Sequence, residues 1–119
     1  MTLARKATGA WGEDLAAQHL QSRGMTVLER NVRSTYGELD IVAQDGTTLV
    51  FVDVKAFEQL ALGADPSENV HRSKQRRIGR CALQYLIRFK RVPLCRFDVV
   101  TVVRAPQFRL EHHVGAFTL

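Results

Sequence analysis

The chain has few cysteines and no long apolar run. Its 119 residues include two cysteines, Cys81 and Cys95, which form neither a CxxC pair nor a zinc-ligand cluster. This usage excludes a disulfide scaffold and a structural zinc domain, and it is typical of a reduced, cytoplasmic protein. The longest apolar block in the central region, Leu49–Val52, is too short for a membrane-spanning helix. The N-terminal residues carry two charges without an apolar signal core, so we expect no secretion signal.

Acidic residues are missing from one long segment. Residues 70–96 contain no Asp or Glu, whereas the whole chain has 17 Lys and Arg against 12 Asp and Glu, a formal net charge of +5. The basic residues of this segment are Arg72, Lys74, Arg76, Arg77, Arg80, Arg88, Lys90, Arg91 and Arg96. Because the remainder of the chain is net acidic, this segment carries the whole positive balance. Such a footprint favours a nucleic-acid backbone or another anionic surface, although a solvated helix face would give the same pattern.

Hydrophobic spacing predicts a single α/β domain with a mixed sheet flanked by helices. The predicted elements are a helix over residues 9–23, a strand over 25–32, a polar turn over 31–37, a hairpin over 37–55, a loop over 56–69, a long helix from about Ser67 to about Lys90 that Pro93 ends, and strands over 96–103 and 108–114. Helices and strands in this order are typical of a compact α/β fold.

The stretch from Gly37 to Lys55 predicts a β-hairpin. Asp45-Gly46 lies between two β-rich runs, and this dipeptide is a strong turn signal. With these two residues as the loop, Gln44 would face Thr47, and alternation would give one apolar face and one polar face. The expected apolar face comprises Leu39, Ile41, Ala43, Val50, Val52 and Val54, and the other face comprises Glu38, Asp40, Val42, Phe51, Asp53 and Lys55.

Two aspartates and a lysine share that second face. In this register Asp40 and Asp53 are diagonal neighbours with Cβ atoms roughly 7 Å apart. Two carboxylates with substrate phosphate oxygens are a common Mg²⁺ arrangement, and Lys55 could orient an attacking water or stabilise a pentacovalent phosphorus. Glu13 completes the acidic set if the first helix packs near the hairpin. Ordinary solvated charges would give the same pattern, so the residues alone leave both interpretations open.

Other polar and aromatic residues carry weaker signals. His112 and His113 are adjacent in a predicted strand, so they point to opposite faces and cannot readily chelate one metal. His19 is predicted to be isolated, and Asp98 is expected to pair with a neighbouring basic residue. Tyr85 falls at helical spacing on an apolar stripe and is expected in the core. The glycines form no P-loop or GxGxxG pattern, so nucleotide-cofactor binding has no support.

Several ordered motifs together resemble a known family. They are Gly12-Glu13 with Ala16, Asn31 with Arg33, Gly37-Glu38-Leu39-Asp40, Val50-Phe51-Val52-Asp53-Val54-Lys55, Val70 with Lys74, Ala82 with Tyr85-Leu86, and Arg96-Phe97-Asp98-Val99. From about Gly9 to about Val103, the chain resembles the YraN family, small uncharacterised bacterial proteins with a restriction-endonuclease-like, PD-(D/E)xK nuclease fold. The implied fold is a central mixed sheet flanked by helices, as in Holliday-junction resolvases.

The resemblance implies roles for individual residues. Asp40 and Asp53 would be the metal carboxylates, Lys55 the catalytic lysine and Glu13 the helix-borne acid, with Mg²⁺ or Mn²⁺ as the cofactor. The chain departs from the family pattern at Asp53, where Glu is usual, and at Phe57, where an arginine commonly follows the lysine.

Two hypotheses of function follow. The first is a cytoplasmic, metal-dependent endonuclease, a single domain over residues 1–119 that hydrolyses phosphodiester bonds in DNA and selects branched structure rather than sequence. The residues expected to bind nucleic acid are Lys74, Arg76, Arg77, Arg80, Arg88 and Arg33. The second is a non-catalytic nucleic-acid-binding or scaffolding protein that retains the nuclease fold. No membrane partner is expected, and the resolvase-like relatives imply a homodimer by analogy.

Overall fold

Helices and strands follow each other along the chain in the predicted order. A computed structural model describes residues 3–64 and 71–118, with side chains from residue 6 onward. Its elements are α1 (Leu3–Ser22), β1 (Thr26–Ser34), β2 (Gly37–Asp45), β3 (Thr48–Gln59), α2 (Arg72–Leu86), β4 (Leu94–Ala105) and β5 (Arg109–Phe117). The prediction of an α/β domain with a mixed sheet is confirmed.

Five strands form one sheet in the order β1-β2-β3-β4-β5. The pairs β1–β2, β2–β3 and β4–β5 are antiparallel, whereas β3 and β4 are parallel. Parallel neighbours need a crossover connection, and the segment between β3 and β4 contains α2. This layering is consistent with the restriction-endonuclease-like fold that the motifs imply. Neither helix is apolar enough along its length to cross a membrane.

Helix α1 packs closely against one face of the sheet. Gly12 permits this approach, because a Cβ atom placed on it would lie 2.5 Å from the Cβ atom of Ala56 in β3. The buried residues between helix and sheet are Ala16, Ala17, Leu20, Met25, Ile41, Ala43, Val50, Val52, Val100 and Val102. The glycine therefore determines how near α1, and with it Glu13, comes to the centre of the sheet.

Helix α2 covers the opposite face with a more aromatic cluster. Phe51 stacks on Phe97 with ring centroids 5.6 Å apart and meets Tyr85 edge-on at 5.9 Å. The buried residues on this side are Leu39, Val42, Leu49, Phe51, Ile78, Cys81, Ala82 and Tyr85. Tyr85 is only 5% exposed, which confirms the expectation that it belongs to the core.

The β2–β3 hairpin has a different loop from the one predicted. The loop is Gly46-Thr47, so Gln44 faces Leu49 instead of Thr47. Gly46 takes φ +60°, a left-handed conformation that glycine adopts without steric cost. Because the pairing shifts by two residues, side-chain parity is unchanged and most of the predicted faces survive.

Two details of the hairpin differ from the prediction, one because of this shift and one because the ladder is short. Continuing the observed register places Asp40 directly opposite Asp53 rather than diagonal to it. Leu39, which was predicted on the apolar face with Ile41, packs instead in the cluster under α2. The regular ladder between β2 and β3 ends at Ile41 and Val52, so strict alternation no longer governs Leu39.

The first half of the chain contains more regular structure than predicted. Helix α1 begins at Leu3 rather than at residue 9, and β3 continues to Gln59 through part of the predicted loop. Strand β1 runs to Ser34, which reduces the predicted polar turn to residues 35–36. Polar residues are compatible with an edge strand, since one side of it faces water.

The boundaries of α2 and of the last strands also differ. The predicted start at Ser67 lies outside the described residues, and the described helix runs from Arg72 to Leu86, well before Pro93. The chain leaves α2 through i→i+3 hydrogen bonds to the carbonyls of Tyr85 and Leu86, a tightening common at helix ends. Strand β4 covers 94–105 instead of 96–103, and β5 covers 109–117 instead of 108–114.

A candidate metal centre beside a basic helix

The candidate site lies where β2 and β3 separate. Beyond the Ile41–Val52 pair, the backbone N–H of Val54 donates to Oδ2 of Asp40 at 2.8 Å. A side-chain oxygen thereby takes the place of a strand carbonyl and fixes the Asp40 carboxylate at the fork. Asp40 consequently lines two clefts, one of about 730 Å³ towards α1 and one of about 240 Å³ towards α2.

Asp53 lines the smaller cleft with Asp40, and its side chain is only 6% exposed. Its Oδ1 atom lies 3.2 Å from Nζ of Lys74 in α2. Its Oδ2 atom is buried and has no hydrogen-bond partner within residues 3–64 and 71–118. A buried carboxylate oxygen without a donor is costly, so this atom is suited to a further cationic or polar partner.

Burial and the neighbouring carboxylate of Asp53 perturb Asp40. Burial, and second the charge of Asp53, raise the pKa of Asp40 to about 7, although the Val54 N–H and Lys74 act in the opposite direction. Close carboxylates with too little compensating positive charge favour a shared proton or a bound cation. Hard divalent cations prefer such oxygen ligands, and Mg²⁺ commonly uses one or two carboxylates with water and phosphate oxygens.

The other two predicted catalytic residues lie on β3 and α1. Lys55 lies two residues after Asp53 on the same strand and is 9% exposed. Glu13 lines the larger cleft with Asp40, and its Oε1 atom accepts hydrogen bonds from Nε of Arg30 and Nδ2 of Asn31, both at 3.0 Å. The structure thus places Glu13 on the α1 side of Asp40 and Asp53 on its α2 side.

Sequence analysis missed the residues that hold Glu13. Asn31 appeared only as a motif residue and Arg30 was not singled out. Asn31 takes φ 54°, which is uncommon outside glycine but tolerated by asparagine. Phe57, at the position where the family pattern has arginine, lines the same α1-side cleft as Glu13.

A site with three or more histidine, cysteine or acidic side chains arranged around one ion does not occur in the described portion of the chain. The candidate centre therefore offers two carboxylates rather than a complete protein cage. This number suits Mg²⁺ or Mn²⁺, which can take remaining oxygen ligands from water and phosphate, and does not suit a structural zinc ion.

Three arginines of α2 form a cleft beside the carboxylates. Arg76, Arg77 and Arg80 line a space of about 460 Å³ together with Tyr36 and Ser73. Arg77 also lines the cleft of Asp40 and Asp53, so the two spaces adjoin. A basic surface therefore borders the acidic pair.

The remaining predicted nucleic-acid residues are placed differently. Lys74 is paired with Asp53 and so belongs to the carboxylate site. Arg88 Nη1 lies 2.8 Å from an oxygen of Glu29, and its guanidinium stacks 3.7 Å above the Tyr85 ring. Arg33 is 90% exposed, with Nε 3.9 Å from Glu38.

A second buried carboxylate, Asp98, lies on the α1 side of the sheet. Its Oδ1 accepts hydrogen bonds from Nε of Arg96 and the backbone N–H of Gly115, both at 3.0 Å, and its Oδ2 lies 2.8 Å from Nε2 of His112. His112 Nδ1 lies 3.1 Å from Nε2 of His19. The pairing expected for Asp98 is confirmed, and the prediction that His19 is isolated is wrong.

The surroundings of Asp98 favour its charged form. Burial alone would raise the pKa of this carboxyl, but the hydrogen bonds from His112, Arg96 and Gly115 together lower it. Arg96 is also bound by Asp45 at 2.8 Å. Although Arg96 belongs to the basic segment, its charge is used within the protein.

Fold and site together define an α/β domain with paired carboxylates at a strand fork beside an arginine-lined cleft. The model of the uncharacterised protein family UPF0102 matches residues 12–102. Proteins named as members of UPF0102 are similar over nearly their whole length: one from Rhodococcus opacus is 46% identical over 93% of this chain and 96% of its own. One from Syntrophotalea carbinolica is 45% identical over 98% and 96%, and one from Geobacter metallireducens is 40% identical over 100% and 98%. The chain belongs to the UPF0102 family.

Proposed function

We propose that this protein is a metal-dependent endonuclease that hydrolyses phosphodiester bonds in DNA, with Mg²⁺ or Mn²⁺ as its cofactor and branched DNA as a preferred substrate. The observation that carries the proposal is the Asp40–Asp53 pair, two carboxylates in one cleft with a buried Asp53 oxygen that has no donor among the described residues, beside an arginine-lined cleft. Both cysteines are free, in keeping with the proposed cytoplasmic location.

The carboxylates fit a hard cation. Asp53 Oδ2 has no donor in the described part of the chain, and the pKa of Asp40 is raised first by burial and then by the charge of Asp53. Asp40 and Asp53 would hold Mg²⁺ or Mn²⁺, which when bound supplies an activated water and stabilises charge on a phosphoryl oxygen.

The chain's own cations and acids would complete the chemistry. Lys55, buried next to Asp53, would orient water and stabilise negative charge that develops on the phosphate. Lys74 is partly exposed and can turn its ammonium from Asp53 towards a bound phosphate. Glu13, positioned by Arg30 and Asn31, would orient water on the other side of Asp40.

The arginines of α2 would bind the DNA backbone. Arg76, Arg77 and Arg80 lie within one cleft, and Arg77 reaches the boundary with the carboxylates. Guanidinium groups suit phosphate because they present several donors in a fixed plane. Binding through phosphates positions a strand without reading its sequence, in accord with a preference for structure.

Metal binding and cleavage test the proposal together. Magnesium or manganese would be titrated into the wild type, Asp40→Asn and Asp53→Asn by calorimetry, and the same proteins incubated with a short branched DNA. We expect carboxylate-dependent metal binding and cleavage in the wild type only, with DNA binding retained in both variants. Glu29→Gln, which removes a carboxylate at the other end of α2, should cut normally. Equal cleavage by wild type and Asp40→Asn would refute the assignment.

One observation favours the second hypothesis, a non-catalytic nucleic-acid-binding or scaffolding protein. The ion pair between Lys74 and Asp53 supplies part of the positive charge that a metal would otherwise provide. On this hypothesis, calorimetry shows no carboxylate-dependent metal binding and the DNA stays intact. Lys74→Met, which removes the cation from Asp53, then produces neither metal binding nor DNA cleavage. A homodimer, implied by analogy with resolvases, is tested by the mass of the protein in solution.

A further inference from the structure

Tyr36 is an exposed aromatic residue in the arginine-lined cleft. It lies in the turn between β1 and β2 and is 49% exposed. The guanidinium carbon of Arg80 lies 5.7 Å from its ring centroid, and Arg76 and Arg77 line the same space of about 460 Å³. A half-exposed ring among three cations combines the two features that bind single-stranded nucleic acid, a stacking surface and a positive path for the backbone.

The turn that carries Tyr36 is fixed to α2. The Tyr36 backbone N–H donates to Oγ of Ser34 at 3.1 Å, and the Thr35 N–H donates to Oε1 of Gln84 at 3.1 Å. Ser34 Oγ also lies 3.0 Å from Sγ of Cys81 in the same helix. The ring is therefore presented from an anchored turn, which lowers the entropy cost of binding a ligand to it.

Tyr36 is also unlike other exposed aromatic residues of the described chain. Phe108 is 55% exposed, but its ring meets Trp11 edge-on at 6.3 Å. No aromatic ring packs against Tyr36 within residues 6–64 and 71–118. A flat surface next to cations is thus left for a ring from another molecule.

A continuous path leads from Tyr36 to the carboxylates. Gly37 follows Tyr36, and a Cβ atom on it would lie 3.4 Å from Cδ of Arg77. The side chain of Arg77 therefore lies next to the backbone there, between the cleft of Tyr36 and the cleft of Asp40 and Asp53. A strand stacked on Tyr36 could therefore continue past Arg77 to the acidic pair.

We propose that Tyr36, with Arg80, is a stacking site for an unpaired base of the DNA strand. A base inside a duplex already stacks on both neighbours, whereas an unpaired base can place one face on an aromatic ring. The inference rests on the proposed function for its account of the adjoining carboxylates and narrows the substrate class. The preferred DNA would contain a single-stranded region, such as a flap, gap or loop.

Binding without metal tests this site separately from cleavage. A short single strand containing 2-aminopurine and a duplex of the same sequence would be titrated in EDTA with the wild type, Tyr36→Ala and Tyr36→Phe. We expect Tyr36→Ala to weaken single-strand binding about tenfold and duplex binding much less. Tyr36→Phe keeps the ring and should bind like the wild type, with the same quenching of 2-aminopurine. Phe108→Ala is the matched control and should change neither affinity.

The outcomes separate this inference from the nuclease proposal. If the wild type cuts DNA while Tyr36→Ala binds single strands normally, the stacking site is refuted and the nuclease proposal stands. If single-strand binding depends on the Tyr36 ring but no DNA is cut with metal, the stacking site stands and the nuclease proposal fails. Equal losses on single strand and duplex, a loss in Tyr36→Phe as large as in Tyr36→Ala, or no single-strand binding by the wild type would overturn the inference.

Discussion

Asp98 and Asp53 are buried aspartates on opposite faces of the same sheet, and their surroundings differ in one respect. Both oxygens of Asp98 are occupied by donors of the chain, namely Arg96, His112 and a backbone N–H. Asp53 has Lys74 near one oxygen, and its other oxygen has no donor in the ranges 3–64 and 71–118. Both oxygens of Asp98 therefore accept hydrogen bonds within the fold, whereas one oxygen of Asp53 remains able to bind a ligand.

The two environments also act in opposite directions on acidity. Donors lower the pKa of Asp98 despite its burial, whereas burial and a neighbouring charge raise the pKa of Asp40, the partner of Asp53, to about 7. Structural carboxylates are expected to have their acceptors filled, and functional carboxylates are often left perturbed. The contrast fits the proposed function, in which Asp98 stabilises the sheet and the Asp40–Asp53 pair binds the metal.

The largest effect of a substitution at constant pH is expected from Asp98→Ala. Removing this carboxylate leaves Arg96 with Asp45 alone and His112 with His19 alone, and breaking a buried pair in this way costs about 3 kcal/mol. Urea unfolding followed by circular dichroism measures the loss. A decrease in the free energy of unfolding below about 1 kcal/mol would show that Asp98 does not stabilise the sheet.

The pH dependence of stability should separate the two sites. Without metal, the pKa of Asp40 is about 7 in the folded protein, whereas the same carboxyl in the unfolded chain has a pKa near 4. The folded state binds more protons between these values, so this carboxyl makes stability fall as pH rises from about 4 to about 7, by at most about 1.4 kcal/mol per pH unit. Asp40→Asn should remove that slope in EDTA.

His19 and Asp98 change stability with pH in the opposite direction to Asp40, and they serve as the internal control. Burial, followed by the charges of His112 and Arg23, lowers the pKa of His19, so its contribution to stability is lost as pH falls below about 6.5. The lowered pKa of Asp98 likewise makes its contribution disappear only in acid. Both effects remain in Asp40→Asn, so the difference between the two curves isolates Asp40; parallel curves would refute the raised pKa.

Local patterns predicted the acidic pair because parity along a strand is a short-range property. Asp53 and Lys55 are two residues apart on one strand, and the register error of two residues did not change parity, so Asp40 still meets Asp53 in one cleft. The chain of Asp98, His112 and His19 could not be predicted in the same way, since it joins three elements that only the tertiary fold brings together.

The sequence also could not separate the roles of the basic residues on α2. Helical spacing predicts which residues share a face, but not how deeply each turn of the helix overlies the sheet. Lys74 reaches Asp53 from the first turn, while Arg76 and Arg80 point into the neighbouring cleft. Tyr36 had no predictive signal, because a turn residue belongs to no hydrophobic period.

A smaller effect of opposite sign is expected for Asp53→Asn. In metal-free buffer the substitution relieves repulsion with Asp40, and partly exposed Lys74 can return to water. We expect unfolding free energy to be unchanged or raised by up to about 1 kcal/mol, as is common where a functional site stores unfavourable charge. The same urea experiment measures it, with Glu29→Gln as the charge control. A loss as large as that of Asp98→Ala would remove the distinction between the sites.

The smallest effect extends the comparison from carboxylates to arginines. Arg76 of α2 forms no ion pair within the described residues, whereas Arg88, two residues beyond the end of α2, is held by Glu29 and by the Tyr85 ring. We expect Arg76→Ala to leave stability unchanged and to reduce the slope of log affinity against log salt for DNA by about one phosphate contact. Arg88→Ala should instead cost up to about 1 kcal/mol of stability and change that slope less. If both variants alter the salt slope equally, ion pairing within the protein does not decide whether an arginine can bind DNA. The basic surface would then extend along α2 and past its end to Arg88.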